Sequence, residues 1–343
     1  MPRPVKEGPL SVGGRTVQIS SVAKPFFPAA GLTKGDLVAY YRDVAEVMLP
    51  HLRGRPLNLQ RFPNGVNAKG FWQQGAGDHF PDWIPTVTVE RRGRGGTVDH
   101  VVCDHPAAIV YLANLATVTF HAWTSTVRHL ARPDLVIIDL DPDPDQGLDV
   151  VRGAARAVRA AAEEVGLTPF VQTSGSRGYH VVMPLEPGPD VEVVKGFADE
   201  LAALVAARDP GRLSVEWRKA KRDGRLLLDT ARNAYAQTIV APYSVRPRPE
   251  APVATPIDWS ELGRAEPRGW TVANLHRRLA RKPDPWAGMA ASAAPFDPAR
   301  ARLDELLAEA GRGPEQAATG SQGKRRGIRA GTHSERRATP HSR

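Results

Sequence analysis

Residues 134–145 read Asp-Leu-Val-Ile-Ile-Asp-Leu-Asp-Pro-Asp-Pro-Asp, and no other stretch constrains the fold of this chain as strongly. Leu135 to Ile138 form a short apolar, β-branched run, the composition of a buried strand. Side chains two apart in a strand share a face, so Asp139 and Asp141 project together from the strand's end. Two adjacent carboxylates repel and raise each other's pKa unless a cation sits between them. A hard divalent metal with oxygen ligands answers that repulsion; a solvated strand end is the plain alternative. An EF-hand loop does not fit. Counted from Asp141, position 6 is Gln146 rather than Gly, and position 12 is Arg152 rather than Glu.

The surrounding pattern mixes helices and strands. Thr33 and Asp36 form a capping pair ahead of Leu37, Val38, Tyr41, Val44, Ala45 and Met48, which share one helix face. Residues 106–118 are expected to be helical, with Pro106 at the start. A helix after the acidic strand is marked by Leu148, Val151, Ala155, Val158, Ala162 and Val165. Strands are expected at 168–173 and 179–185, a helix near 190–207, and strands near 213–217, 226–230 and 238–245. The last helix runs from Asp297 to about Ala310. Basic residues Arg91, Arg92 and Arg94 surround an expected hairpin tip at Gly93–Gly96. Strands and helices around one acidic centre predict an α+β (mixed α/β) domain with a central sheet flanked by helices.

Charge is unevenly placed. The chain has 46 Lys and Arg against 37 Asp and Glu. Residues 312–343 hold eight of the basic and two of the acidic residues, hence six of the nine net positive charges. With few large apolar residues this tail is predicted to be disordered; it suits either a non-specific nucleic-acid arm or a solubilising role. The single cysteine, Cys103, excludes an internal disulfide and a Cys-cluster zinc site. No apolar run approaches the ~20 residues of a membrane helix, and no signal peptide is visible. These features predict a cytoplasmic, nucleoid-associated protein with no membrane partner.

Two further segments carry chemistry. Thr173-Ser-Gly-Ser-Arg-Gly-Tyr-His180 joins two expected strands. Backbone amides in such a turn can cradle phosphate oxygens, and Arg177 adds charge-assisted bonds; a tight hairpin accounts for the glycines equally well. Leu226-Leu-Leu-Asp229 offers a third carboxylate at a strand end, among Arg218, Lys219, Lys221, Arg222, Arg225, Arg232 and Arg246. A metal pair with a phosphate cradle and a third acid suggests nucleotidyl transfer by two cations.

Taken together, Asp139-Leu-Asp141, Ser174-Gly-Ser-Arg-Gly-Tyr-His180, Asp229 and Thr238-Ile-Val-Ala-Pro-Tyr-Ser-Val-Arg246 resemble the polymerase domain of bacterial ligase D. That domain is the primase-like polymerase of non-homologous end joining. The resemblance spans roughly residues 15–285 and includes Lys24-Pro25, Gly54-Arg55-Pro56, Arg61-Phe-Pro-Asn-Gly65, Phe71-Trp72 and His121. It implies that Asp139, Asp141 and Asp229 hold two metal ions, Mn²⁺ in preference to Mg²⁺, and that His121 acts beside the nucleotide. It implies that Ser174, Arg177, His180, Arg222, Arg232 and Arg246 surround an NTP or dNTP; the family often has Lys at the Arg177 position. Lys24 and Lys34 resemble residues at a DNA end that reads a recessed 5′-phosphate, helped by free amides at the start of the first helix. Phe71 and Trp72 resemble an aromatic pair that stacks on the template. Gln60 departs from the pattern, standing where the 5′-phosphate pocket has a lysine.

The resulting expectation is a stand-alone, template-directed and terminal nucleotidyltransferase that fills gaps and extends DNA ends. Its expected partners are gapped DNA with a 5′-phosphate, Ku and a separate DNA ligase. The expected organisation is an N-terminal extension at 1–14, the polymerase domain at 15–290, a C-terminal helix at 291–311 and the basic tail at 312–343. De novo primer synthesis is the alternative within enzymes. A non-catalytic DNA-end binder is the alternative outside them, and the intact acids argue against it. A metal phosphoesterase lacks the His-rich metal set.

Overall fold

The structure, a computed structural model, describes residues 4–91 and 95–311. The basic tail and half of the expected hairpin tip, Gly93 and Arg94, lie outside the described residues. Two compact units are distinguished, Met1–Asp304 and Glu305–Arg343. Of the second, the described residues 305–311 are the last turns of a helix.

Two N-terminal hairpins, β1 (Gly8–Val12) with β2 (Arg15–Ile19) and β3 (Pro25–Phe27) with β4 (Leu32–Thr33), lead into α1 (Lys34–Leu52). The helix starts where the sequence places it. Asp36 N donates to Thr33 Oγ1 (3.3 Å), and Thr33 N donates back to the Asp36 carboxylate (2.8 Å). The apolar series Leu37, Val38, Tyr41, Val44, Ala45 and Met48 is buried, and each large side chain contributes about 1.5–3 kcal/mol.

Then come β5 (Pro56–Arg61), β6 (Phe71–Gln73), β7 (Thr86–Glu90), β8 (Thr97–Val102), α2 (Pro106–Asn114) and β9 (Thr117–Trp123). The helix expected to reach 118 stops four residues early. Ala116 takes a left-handed conformation (φ 68°), and Thr117-Val118-Thr119-Phe120 suit a strand better than a helix. The chain continues with β10 (Leu135–Leu140), α3 (Leu148–Glu164), β11 (Phe170–Thr173), β12 (Tyr179–Pro184), α4 (Val191–Arg208), β13 (Leu213–Ser214), β14 (Leu226–Leu227), β15 (Thr238–Val240), β16 (Thr255–Ile257), α5 (Leu275–Leu279) and α6 (Phe296–Gly311). The strand expected to run to 245 ends at Val240. Pro242 has no amide to donate, and Tyr243 is left-handed (φ 65°).

Two antiparallel sheets organise the first unit. One has the order β15-β9-β5-β8-β7, with β6 also paired to β5; the other has the order β10-β12-β11-β16. Helices α3 and α4 pack on β10 and β12, while α2 packs on α1 and β9. The fold is therefore mixed α/β, with central sheets flanked by helices, as the sequence predicts. On β10, Leu135 and Ile137 line an apolar cavity with Trp123, Val240 and Trp286. Asp139, next on the same face, lines a second, polar pocket that shares Ile239 and Val240 with the first.

Candidate active site

His121, Asp139, Asp141, Ser174, His180, Arg232 and Arg246 line one pocket. Strand register brings most of them there. Asp139 lies directly opposite His180 across β10 and β12, and His180 lies directly opposite Gln172 across β12 and β11. On the other side Asp139 and Asp229 exchange both backbone hydrogen bonds, N to O, at 2.8 and 3.0 Å. Directly opposed residues of an antiparallel pair present their side chains on one face. The row Asp229–Asp139–His180–Gln172 thus crosses four adjacent segments. From the facing sheet, His121 sits opposite Val240.

The turn between β11 and β12 packs against the acidic strand. Its amides are largely engaged within the turn: Ser176 N and Gly178 N each donate to Ser174 Oγ (3.1 Å), and Ser174 N donates to Gly178 O (2.9 Å). A phosphate cradle built on those two amides is therefore not open, and Ser174 staples the hairpin instead. Gly178 is required by close approach, since a Cβ there would lie 1.7 Å from Leu140 O.

Burial pushes the Asp139 carboxyl up to about 6; Arg232 opposes that rise and Asp141 adds to it. Asp229 is raised by burial and by Asp139, against the pull of the Ala231 amide. Burial, with Arg246 and Arg232 close by, pushes His180 down to about 3, and burial holds His121 well below the ordinary imidazole value. The Arg246 guanidinium is lowered by burial, and its Nε has no hydrogen-bond partner among the described residues. Two neutral imidazoles and a desolvated guanidinium beside raised carboxyls suit a ligand with both anionic and cationic parts.

The three aspartates fit a hard divalent ion in type and face, and a cation would relieve the cost of ionising Asp139 beside Asp229. Their side chains are otherwise engaged as placed. Asp141 accepts from Arg177 Nη2 (2.7 Å) and Nε (3.3 Å), and Asp229 Oδ1 accepts from Ala231 N (2.7 Å). Accordingly, no three His, Cys, Asp or Glu side chains among the described residues are gathered around one point. A cation between Asp139 and Asp141 would compete with Arg177 for the Asp141 carboxylate.

The remaining expected residues lie outside the pocket. Arg222 approaches Asp143 (3.8 Å) together with Lys219 (3.3 Å), in the loop after Asp141. Phe71 and Trp72 are 46% and 53% exposed. The Trp72 ring stands edge-on to His121, with centroids 4.8 Å apart, and Arg61 lies over Phe71. Lys24 Nζ donates to Pro63 O (2.6 Å) and Asn64 Oδ1 (3.0 Å), and Lys34 Nζ to Ser20 O (2.7 Å). They are close enough for Lys24 to add to the burial that lowers Lys34. The first-turn amides of α1, expected to be free, are spent: Lys34 N on Lys24 O, Gly35 N on Val22 O and Asp36 N on Thr33. Sequence reasoning passed over Gln172, which no motif marks and only strand register reveals; Asp143 belongs to the acidic run of the sequence, and only the loop contacts show its basic partners.

An acidic centre at the ends of central strands, ringed by arginines and backed by two helix-covered sheets, is the arrangement of a primase-polymerase-like domain. Residues 33–286 match the family model described as LigD, primase-polymerase domain, and the chain belongs to that family. It is 31% identical over 286 residues to the multifunctional non-homologous end joining DNA repair protein LigD of Mycobacterium tuberculosis, covering 80% of this chain and 37% of that protein. With the Pseudomonas aeruginosa LigD it shares 30% identity over 277 residues, covering 80% and 33%. The chain thus spans about a third of the length of these relatives. Among solved structures, the polymerase domain of M. tuberculosis ligase D in complex with DNA superposes with a TM-score of 0.75 at 30% identity, covering 81% of this chain and 99% of that one.

Proposed function

We propose that this chain is a nucleotidyltransferase that adds nucleotides to DNA 3′ ends, both on a template and terminally, filling gaps during bacterial non-homologous end joining. The observation that carries the reading is the backbone pairing of Asp139 with Asp229. It sets two residues that bear carboxylates side by side, and Asp139 lines a pocket together with Asp141, Arg232 and Arg246. Membership of the LigD primase-polymerase family supplies the reaction class.

Asp139, Asp141 and Asp229 would hold two divalent ions, Mn²⁺ in preference to Mg²⁺; bound there, these supply activation of the primer 3′-hydroxyl and stabilisation of the leaving pyrophosphate. Arg246, half-buried and with an Nε that has no partner among the described residues, pairs with the triphosphate of an NTP or dNTP, as does Arg232. Arg177, on losing Asp141 to a cation, becomes available to the same phosphates. Trp72, exposed against the His121 ring, offers a surface on which a template base stacks. Gapped DNA with a 5′-phosphate, Ku and a separate DNA ligase are the proposed partners, and the nucleoid the proposed location.

The test is primer extension on gapped, 5′-phosphorylated DNA with NTP or dNTP and Mn²⁺ or Mg²⁺, with an unprimed template alongside. Extension of the primer that is lost in Asp139→Ala and Asp229→Ala, with DNA binding retained, is the expected result. Near-wild-type extension by either variant would overturn the acidic-centre assignment, and product on the unprimed template would indicate a primase.

A further inference from the structure

Gln172 is 1% exposed and belongs to none of the motifs above, yet it is the cross-strand neighbour of His180. Its side-chain orientation is settled by the facing sheet. Nε2 lies 3.2 Å from Val240 O, and a carbonyl oxygen can only accept. Turning the amide over would set Oε1 against that carbonyl, so the NH₂ group faces it. The same Nε2 lies 3.0 Å from His180 Nδ1. Its second hydrogen therefore points at that ring nitrogen, which must accept and carries no proton. The imidazole is then neutral, and its single proton is on Nε2, the nitrogen 3.4 Å from Asp139 Oδ1.

We infer that Gln172 is a positioning residue that holds His180 in the Nε2–H tautomer, so that the imidazole meets the nucleotide as a hydrogen-bond donor and not as a base. The inference rests on the nucleotidyltransferase reading for its ligand, but not for its geometry. An Nε2–H so held suits a phosphate or ribose oxygen, and a ring nitrogen that already bears a proton cannot take one from the 3′-hydroxyl. Gln172 Oε1, meanwhile, has no partner among the described residues. A buried amide oxygen left unpaired destabilises a fold. Methionine would fill a similar volume without that cost, so packing alone does not account for an amide at this position. Gln172 also lines an apolar cavity next to the pocket, with Ile137 and Val182.

The test reads the tautomer directly, in the protein without metal or nucleotide. Two-bond ¹H–¹⁵N correlation of the histidine rings, with His180 assigned by its loss in His180→Asn, is expected to show an unprotonated Nδ1 and a protonated Nε2. Gln172→Glu, whose carboxylate accepts, is expected to move a proton onto Nδ1, and Gln172→Met to give a mixture. In primer extension, Gln172→Glu is expected to raise the nucleotide KM by roughly tenfold, the worth of one hydrogen bond to a charged group, with little change in kcat. A protonated Nδ1 in the wild type, or an unchanged ring pattern in Gln172→Met, overturns the inference. If Gln172→Glu fails to fold, the wild-type and Gln172→Met spectra decide. Should the wild type show the Nε2–H pattern but add no nucleotide to any primer, the tautomer stands and the polymerase reading falls.

Discussion

With no cation bound, the Asp139 carboxyl is ionised at neutral pH against its surroundings, because burial pushes it up to about 6 from an ordinary 3.8. Between those two values the folded chain binds a proton that the unfolded chain does not. The stability that Asp139 contributes is therefore fully present below the ordinary value and is lost as pH rises through about 6. A shift of that size is worth about 3 kcal/mol. In EDTA at pH 7.5, Asp139→Asn is expected to raise Tm by about 1–4 °C and to flatten the pH dependence of Tm between 4 and 6. Millimolar Mn²⁺ is expected to reverse the order, raising the wild-type Tm and leaving the variant unmoved. Thermal melts across pH, with and without Mn²⁺, check both. A variant no more stable than wild type in EDTA would mean that Asp139 bears no such load.

At the level of elements, what the sequence made legible was local. The capping pair Thr33 and Asp36 sets the start of α1, and the spacing from Val151 to Ala162 sets the buried face of α3; both signals lie within a few residues of what they specify. Likewise, three aspartates at the ends of apolar runs mark themselves by type. The stop of α2 was not legible, since nothing about Ala116 announces a left-handed residue. Strand β9, which carries His121, was hidden behind that misplaced helix end. The row from Asp229 to Gln172 was illegible too, because register between β10, β12 and β11 is set by packing of whole sheets. Close approach between elements was equally silent. Gly178 reads in sequence as an ordinary turn glycine, yet a Cβ there would lie within bonding distance of the Leu140 backbone. Gly178→Ala is expected to cost at least about 2 kcal/mol and to abolish nucleotide addition, because the turn must move away from the strand between Asp139 and Asp141. Gly196 in α4 has open space at its Cβ position. Gly196→Ala is expected to be neutral or to stabilise by up to about 1 kcal/mol. Urea melts of the two variants make the comparison, and similar stability for both would refute the close-packing argument.

For the whole molecule, the excess positive charge of the sequence lies away from the residues of the proposed site. The pocket brings its arginines together with aspartates that neutralise them, so the site itself offers a DNA backbone little net attraction. Most of the chain's excess charge lies instead in residues 312–343, eight basic against two acidic residues. Contacts between such residues and phosphates release counterions, and each steepens the fall of log K with log salt by about 0.9 for duplex DNA. A chain ending at Gly311 keeps every residue of the proposed site. If the tail is a DNA arm, that truncation is expected to weaken binding to blunt duplex and to reduce the salt slope by several units, with most of the difference gone above ~0.3 M salt, where screening is strong. On that reading single-turnover extension at saturating DNA is expected to change less than twofold, because an arm that only raises occupancy adds nothing once DNA saturates. Fluorescence anisotropy across a salt series, paired with rapid-quench extension, separates the two effects. An unchanged slope would assign the tail to solubility, and a lost extension rate at saturating DNA would place part of it at the reaction itself.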